Sequence, residues 1–204
     1  MTSRLEELRD RIAELRQEID DEIARRRARF HYRLERGRAV FEKEVQARHR
    51  AARVPLLRFL ARTRPLVLLT APVIYALIVP FLLLDLCVSL YQAICFPVYG
   101  IGKVRRGDYI VMDRHRLAYL NGLQKLNCIY CGYCNGIIAY TREIAARTEQ
   151  YWCPIKHARR TRDHHDRYSG FMDFGDAEAF DTRLAELRAL LADETSAKST
   201  HRSE

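Results

Sequence analysis

Between Pro65 and Gly102 the chain runs for 38 residues with a single charged side chain, Asp85. Nothing else limits the possible folds as strongly. An uncharged stretch of that length, rising about 1.5 Å per helical residue, is long enough to meet a hydrocarbon layer about 30 Å thick. Asp85 divides it into nineteen uncharged residues, Leu66–Leu84, and seventeen, Leu86–Gly102. Arg58, Arg62 and Arg64 precede the stretch, and Lys103, Arg105 and Arg106 follow it. Positive charge on both flanks predicts that both flanks stay on the cytoplasmic side. The expected form is a hydrophobic membrane hairpin over 65–102 that turns near Asp85, with Pro72, Pro80 and Pro97 kinking its arms. A single crossing over Leu66–Leu84 is the competing form. Cys87 and Cys95, inside this stretch, read as small packing residues.

Charge is distributed unevenly around this segment. Residues 1–64 hold 18 Arg or Lys against 11 Asp or Glu, and 103–204 hold 17 against 14, so most of the net charge of +9 lies upstream. Within the arm, Met1–Ile23 has four Arg against eight acids, whereas Ala24–Arg64 has fourteen basic residues against three acids. A basic segment next to an apolar one is attracted to anionic lipid headgroups, at about 1 kcal/mol per basic residue near the surface. That makes anionic lipid a better partner for it than nucleic acid.

The first fifty residues contain no Pro and only one Gly, Gly37. Leu8, Ile19, Phe30 and Phe41 recur every eleven residues, followed four positions later by Ile12, Ile23, Leu34 and Val45. Eleven residues make three turns, so these columns predict one long helix over 1–50 with a narrow apolar seam. Such a seam suits self-association as a coiled coil or the binding of a protein partner. A basic juxtamembrane segment, 51–64, joins this helix to the hairpin.

Six cysteines behind a densely charged start, Met1–Asp21, that lacks the apolar run of a secretion signal predict reduced thiols and metal chemistry. Cys128 and Cys131 form C-x2-C followed by Gly132, the pattern of a metal knuckle. Cys153-Pro154-Ile155-Lys156-His157 reads as a helix start with Cys153 at its N-cap, Pro154 at the first position and His157 one turn on. Cys128, Cys131, Cys153 and His157 would then hold one structural zinc and organise a small helical domain over 103–170. The alternative cofactor is iron, mononuclear or in an iron-sulfur cluster with Cys134 as a further ligand, since Cys128, Cys131 and Cys134 make C-x2-C-x2-C. A helix with one apolar face, carrying Ile137, Tyr140, Ile144, Ala145, Thr148 and Tyr151, is expected between the two half-sites.

The segment Phe96–His157, with F-P-V-Y-G-I, L-A-Y-L-N, N-C-I-Y-C-G-Y and E-I-A-A-R-T-E-Q-Y-W-C-P-I-K-H, resembles a group of bacterial membrane-associated proteins of unknown function. The resemblance implies a place at the bacterial inner membrane and carries no activity, substrate or partner with it.

Downstream, Asp163, His164, His165 and Asp166 read as a solvated loop, and Glu143 and Glu149 as surface residues on different helix faces. Phe180, Leu184, Leu187, Leu190 and Leu191 predict an amphipathic helix within 171–193 that packs on the chain's own core, and 194–204 a disordered tail. No phosphate-binding glycine loop, nucleophile elbow or metalloprotease motif is present, which argues against an enzyme, and no small-molecule substrate is indicated. The expectation is a mostly α protein: a long N-terminal helix or coiled coil, a membrane hairpin and a metal-stabilised module, with both termini cytoplasmic. Its expected role is a scaffold or interaction protein, with electron transfer as the alternative.

Overall fold

The computed structural model describes residues 4–35 and 38–200, and these are mostly helical. They divide into two units. The first takes the N-terminal residues up to Arg62 together with Asp113–Leu126, and the second takes Thr63–Met112 together with Asn127 onward.

In the first unit, helix α1 (Arg4–Arg29) is followed by an antiparallel pair, β1 (Tyr32–Glu35) and β2 (Arg38–Phe41), then α2 (Lys43–Ala51) and α3 (Leu56–Arg62). The single helix expected over 1–50 is thus interrupted. His31, at φ 51°, adopts the left-handed conformation that ends α1. Beyond it, Tyr32 pairs with Phe41 across the strands, their ring centroids 5.3 Å apart. The second half of the eleven-residue pattern therefore builds a hairpin and a new helix. In α1 itself Leu8, Ile12, Leu15, Ile19 and Ile23 stand exposed, a seam with nothing packed on it among the described residues. Residues 1–3, also part of the predicted helix, lie outside the described residues.

The second unit is built on α4 (Pro65–Ala76), α5 (Ile78–Tyr99) and, from Asn127 onward, α7 (Gly122–Trp152), with a single turn α6 (Arg106–Tyr109) between them and α8 (Phe180–Thr200) closing the unit. The chain does not reverse near Asp85. Leu77, between α4 and α5, keeps right-handed helical backbone (φ −63°, ψ −12°), so Pro65–Tyr99 forms one apolar helical run of 35 residues instead of the expected hairpin. It is long and apolar enough to cross a membrane. Gly100, at φ 69°, ends α5: the amide of Ile101 returns to the carbonyl of Phe96 at 2.9 Å, closing the last turn.

The core gathers Phe96, Ile101, Val104, Ile110, Tyr133, Ile137, Tyr140, Ile144 and Leu191. As expected, α8 packs at home, with Leu187 and Leu191 buried. It continues to Thr200, past the predicted start of the tail; 201–204 lie outside the described residues.

Candidate functional site

Helices α5 and α7 carry polar and apolar side chains at matching intervals. On α5 the inward row is Asp85, Ser89, Gln92 and Phe96; on α7 it is Tyr133, Ile137, Tyr140 and Ile144. Both rows follow i, i+4, i+7, i+11, the spacing that keeps side chains on one helix face. Contacts climb together along the two helical runs, from Ile74 at the end of α4 with Tyr130, through Asp85 with Tyr133 and Gln92 with Tyr140, to Tyr99 with Tyr151. The two helices therefore run side by side in the same direction.

Between them lies a polar ladder. Asp85 accepts from Arg106 Nε (3.1 Å) and Nη2 (2.6 Å), from the Tyr133 hydroxyl (2.9 Å) and from Ser89 (3.3 Å). Gln92 donates to the Tyr140 hydroxyl and to the carbonyl of Val104 (3.3 Å), and accepts from the amide of Val104 (2.9 Å). Further along, the Tyr91 hydroxyl meets Thr148 Oγ1 at 3.0 Å. A polar group inside an apolar helix is costly unless paired, and here each rung finds a protein partner. Residues 101–110 fold back along the pair and supply Val104 and Arg106. This return passes so close to α7 that a Cβ on Gly136 would stand 2.8 Å from Ile110 Cα and 2.9 Å from the Tyr109 carbonyl oxygen. The hydrogen bond to Asp85 holds the Arg106 guanidinium above the usual arginine range, and burial, reinforced by the Asp85 carboxylate, pushes the Tyr133 phenol up.

The other side of α5 is different. Val79, Leu83, Leu86, Leu90, Ile94 and Val98 are exposed on the side of α5 away from the ladder, and exposed Leu82 borders it. On α4, Leu66, Val67, Leu68, Leu69, Val73 and Ile74 are exposed around the helix, while Thr70 returns its hydroxyl to the carbonyls of Leu66 and Val67 at 3.1 Å each. This is an apolar surface with its Thr70 hydroxyl satisfied internally.

The predicted metal ligands are not brought together. Cys128, Cys131 and Cys134 lie in continuous helix near the start of α7, where Gly132 is a buried helical residue and not a knuckle. Cys153 follows the last residue of the same helix. Twenty-two residues separate Cys131 from Cys153, roughly 33 Å of helix. No single ion bridges that distance. Pro154 also acts opposite to expectation: it terminates α7, and Ile155 leaves as extended chain bridged to Met172, so His157 is not on a helix with Cys153. Among the described residues no group of three or more His, Cys, Asp or Glu side chains is placed to hold a metal. Cys134 is buried, and burial raises its thiol above the usual range, keeping it protonated.

No family model, curated protein or solved structure matches this chain.

Two features escaped the sequence reading. Leu126–Thr141 is a sixteen-residue run without charge between Lys125 and Arg142, and it supplies the half of α7 that lies along the start of α5. The lack of charge was the available signal. Second, Glu143 is no simple surface residue: it accepts from Arg147 (2.7 Å), whose side chain is only 6% exposed, and from Arg167 (3.3 Å), which also binds Glu194 (2.8 Å). Burial works against the charge on Arg167, but Glu194 and Glu143 outweigh it and raise its pKa. In the expected loop, His165 is only 15% exposed and contacts Glu149 at 3.0 Å, and His164 stacks on Tyr168.

Proposed function

We propose that this protein is a membrane-anchored scaffold of the bacterial inner membrane, with both termini on the cytoplasmic side. The apolar surface of α4 and α5 is the observation that carries the proposal. A soluble domain rarely leaves so many large aliphatic side chains in water on adjacent turns, and a hydrocarbon layer removes that cost. The ladder of Asp85, Ser89 and Gln92 supports the same conclusion, because it gives α5 a protein-bound face as well as an apolar one.

Two further features support a scaffold. The fourteen basic residues of Ala24–Arg64 favour anionic headgroups, and the exposed seam of α1 favours a second helix, from another copy or from a protein partner. A metal centre is no part of this proposal, because Cys128 and Cys131 lie at least roughly 33 Å along the helix from Cys153.

Membrane fractionation and vesicle flotation test it. The full chain should remain with membranes through alkaline carbonate washing, float with neutral phosphatidylcholine vesicles, and float more completely when phosphatidylglycerol is added, the increment fading with salt. Recovery in the soluble fraction, with no flotation on either vesicle, refutes the anchor.

A further inference from the structure

The geometry points to insertion in the plane of one leaflet: the outer face of α5 binds the acyl-chain region of a single monolayer, and α7 with the return segment 101–110 covers it from the water side. This rests on the membrane-anchor proposal and specifies how the anchor sits. Three observations carry it.

The first is length. Thirty-five residues of helix span roughly 52 Å, and exposed apolar side chains continue from Leu66 to Val98. Matching that to a layer about 30 Å thick would need a tilt of about 55°, outside the usual range of about 0–40°.

The second is what stands opposite the apolar face. The return segment brings exposed Lys103, Arg105 and Asp108, and the later half of α7 brings exposed Arg142, all within the unit that contains α5. Contacts of Thr148 with Tyr91 and of Tyr151 with Tyr99 place that charged half of α7 alongside the last turns of α5. An upright α5 surrounded by lipid along its length would carry these charges into hydrocarbon, at about 2.5–3.5 kcal/mol each near the bilayer centre. Lying flat keeps them in water and still submerges Leu83, Leu86, Leu90 and Ile94.

The third is the division of labour. An interfacial helix normally has a polar face of its own. Here α5 has only the ladder residues, and the polar half of the amphipathic unit comes from α7 and the return segment packed upon it. α7 reaches only the last turn of α4, where Tyr130 meets Ile74 and Tyr75, and the earlier turns of α4 are immersed on all sides. This arrangement leaves both flanks of the apolar run on one side of the membrane without a hairpin.

Depth measurement tests it in the full chain. In a Trp152→Phe background, Leu83→Trp, Leu90→Trp and Ile94→Trp, which share one exposed face of α5, are each reconstituted in phosphatidylglycerol and phosphatidylcholine vesicles carrying a nitroxide either high or deep on the acyl chain. An in-plane α5 gives the same ratio of shallow to deep quenching at all three positions, with the shallow label stronger throughout. A spanning helix changes the ratio along its length, since Leu83 and Ile94 are roughly 16 Å apart along the axis, and that result overturns the inference while leaving the anchor intact. Efficient flotation without quenching at any position also overturns it, pointing to a second protein copy over this face. For the unsubstituted helix, epitope tags at both ends of the chain should be cleaved by protease from the same side of sealed membranes; cleavage from opposite sides overturns it. Failure to float at all removes the anchor itself.

Discussion

The Asp85–Arg106 pair makes an unequal prediction for its two partners. The Asp85 side chain is 14% exposed and that of Arg106 47%. Arg106→Ala removes the guanidinium and leaves a largely buried carboxylate with two hydroxyl donors, Tyr133 and Ser89. Stranding a fully buried charge costs about 3–5 kcal/mol; with those donors retained, about 2–3 kcal/mol is expected. Asp85→Ala strands a half-exposed guanidinium, which can turn to water, so about 1–2 kcal/mol is expected. In a chain of this size each kcal/mol lowers Tm by about 2–4 °C. Arg106→Ala should therefore fall by about 4–12 °C and Asp85→Ala by about 2–8 °C, with Arg106→Ala the lower of the two. The double variant should lose less than the sum of the single losses, because neither charge is left stranded. Thermal unfolding in mild detergent can be followed through Trp152, the only tryptophan, which packs edge-on to Tyr99 at the end of the same helix pair. A larger loss for Asp85→Ala, or strict additivity, would show that the pair is not the contact holding the return segment.

Gly136→Ala should destabilise by about 1 kcal/mol, because displacing the Ile110 backbone costs about 1–3 kcal/mol and the better helix former returns only about 0.5–1. Gly122→Ala, where an added Cβ meets nothing within 4 Å, should stay within about 0.5 kcal/mol of the parent in the same melt. Alkylation followed by mass spectrometry should modify exposed Cys131 and Cys153 first and Cys134 last. The raised Cys134 thiol favours the fold while it stays protonated, a contribution lost only as pH climbs through its elevated value, so moderate alkalinity should not speed its reaction before unfolding. Cys153→Ser should leave Tm unchanged, and metal analysis of the purified chain should find no stoichiometric zinc or iron whose removal unfolds it; a stoichiometric ion lost together with stability in Cys153→Ser would mean that α7 bends to join its two ends.

How far the sequence revealed this fold differs from element to element. The apolar run, the helix through Ile137, Tyr140 and Ile144, and the packing of Leu187 and Leu191 could be read from periodicity, because each depends on a face that is buried as a whole. The end of α1 could not. A single residue, His31, in left-handed backbone decides it, and the eleven-residue apolar columns pass across that position unchanged. The hairpin over 65–102 was inferred from charge on its flanks, yet flank charge reports which side the ends occupy and not how the chain returns there. A continuous helix lying along one leaflet also places both ends together.

The cysteines show why spacing alone was insufficient. Residues i and i+3 adjoin on a helix surface, so Cys128 and Cys131 satisfy the C-x2-C pattern whether the chain bends around an ion or continues as helix. The separating signal lay in the residues between the half-sites. Closing Cys131 onto Cys153 requires the chain to reverse, and reversal needs a turn. After Gly136 the sequence offers Ile137 to Trp152 without a single Gly, Pro, Asn or Asp, and with Ala139, Ala145, Ala146, Glu143, Glu149, Arg142 and Arg147 as strong helix formers. That run carries the helix away from Cys131 until Pro154 stops it, and so the two half-sites, each plausible by itself, are held roughly 33 Å apart by one continuous helix.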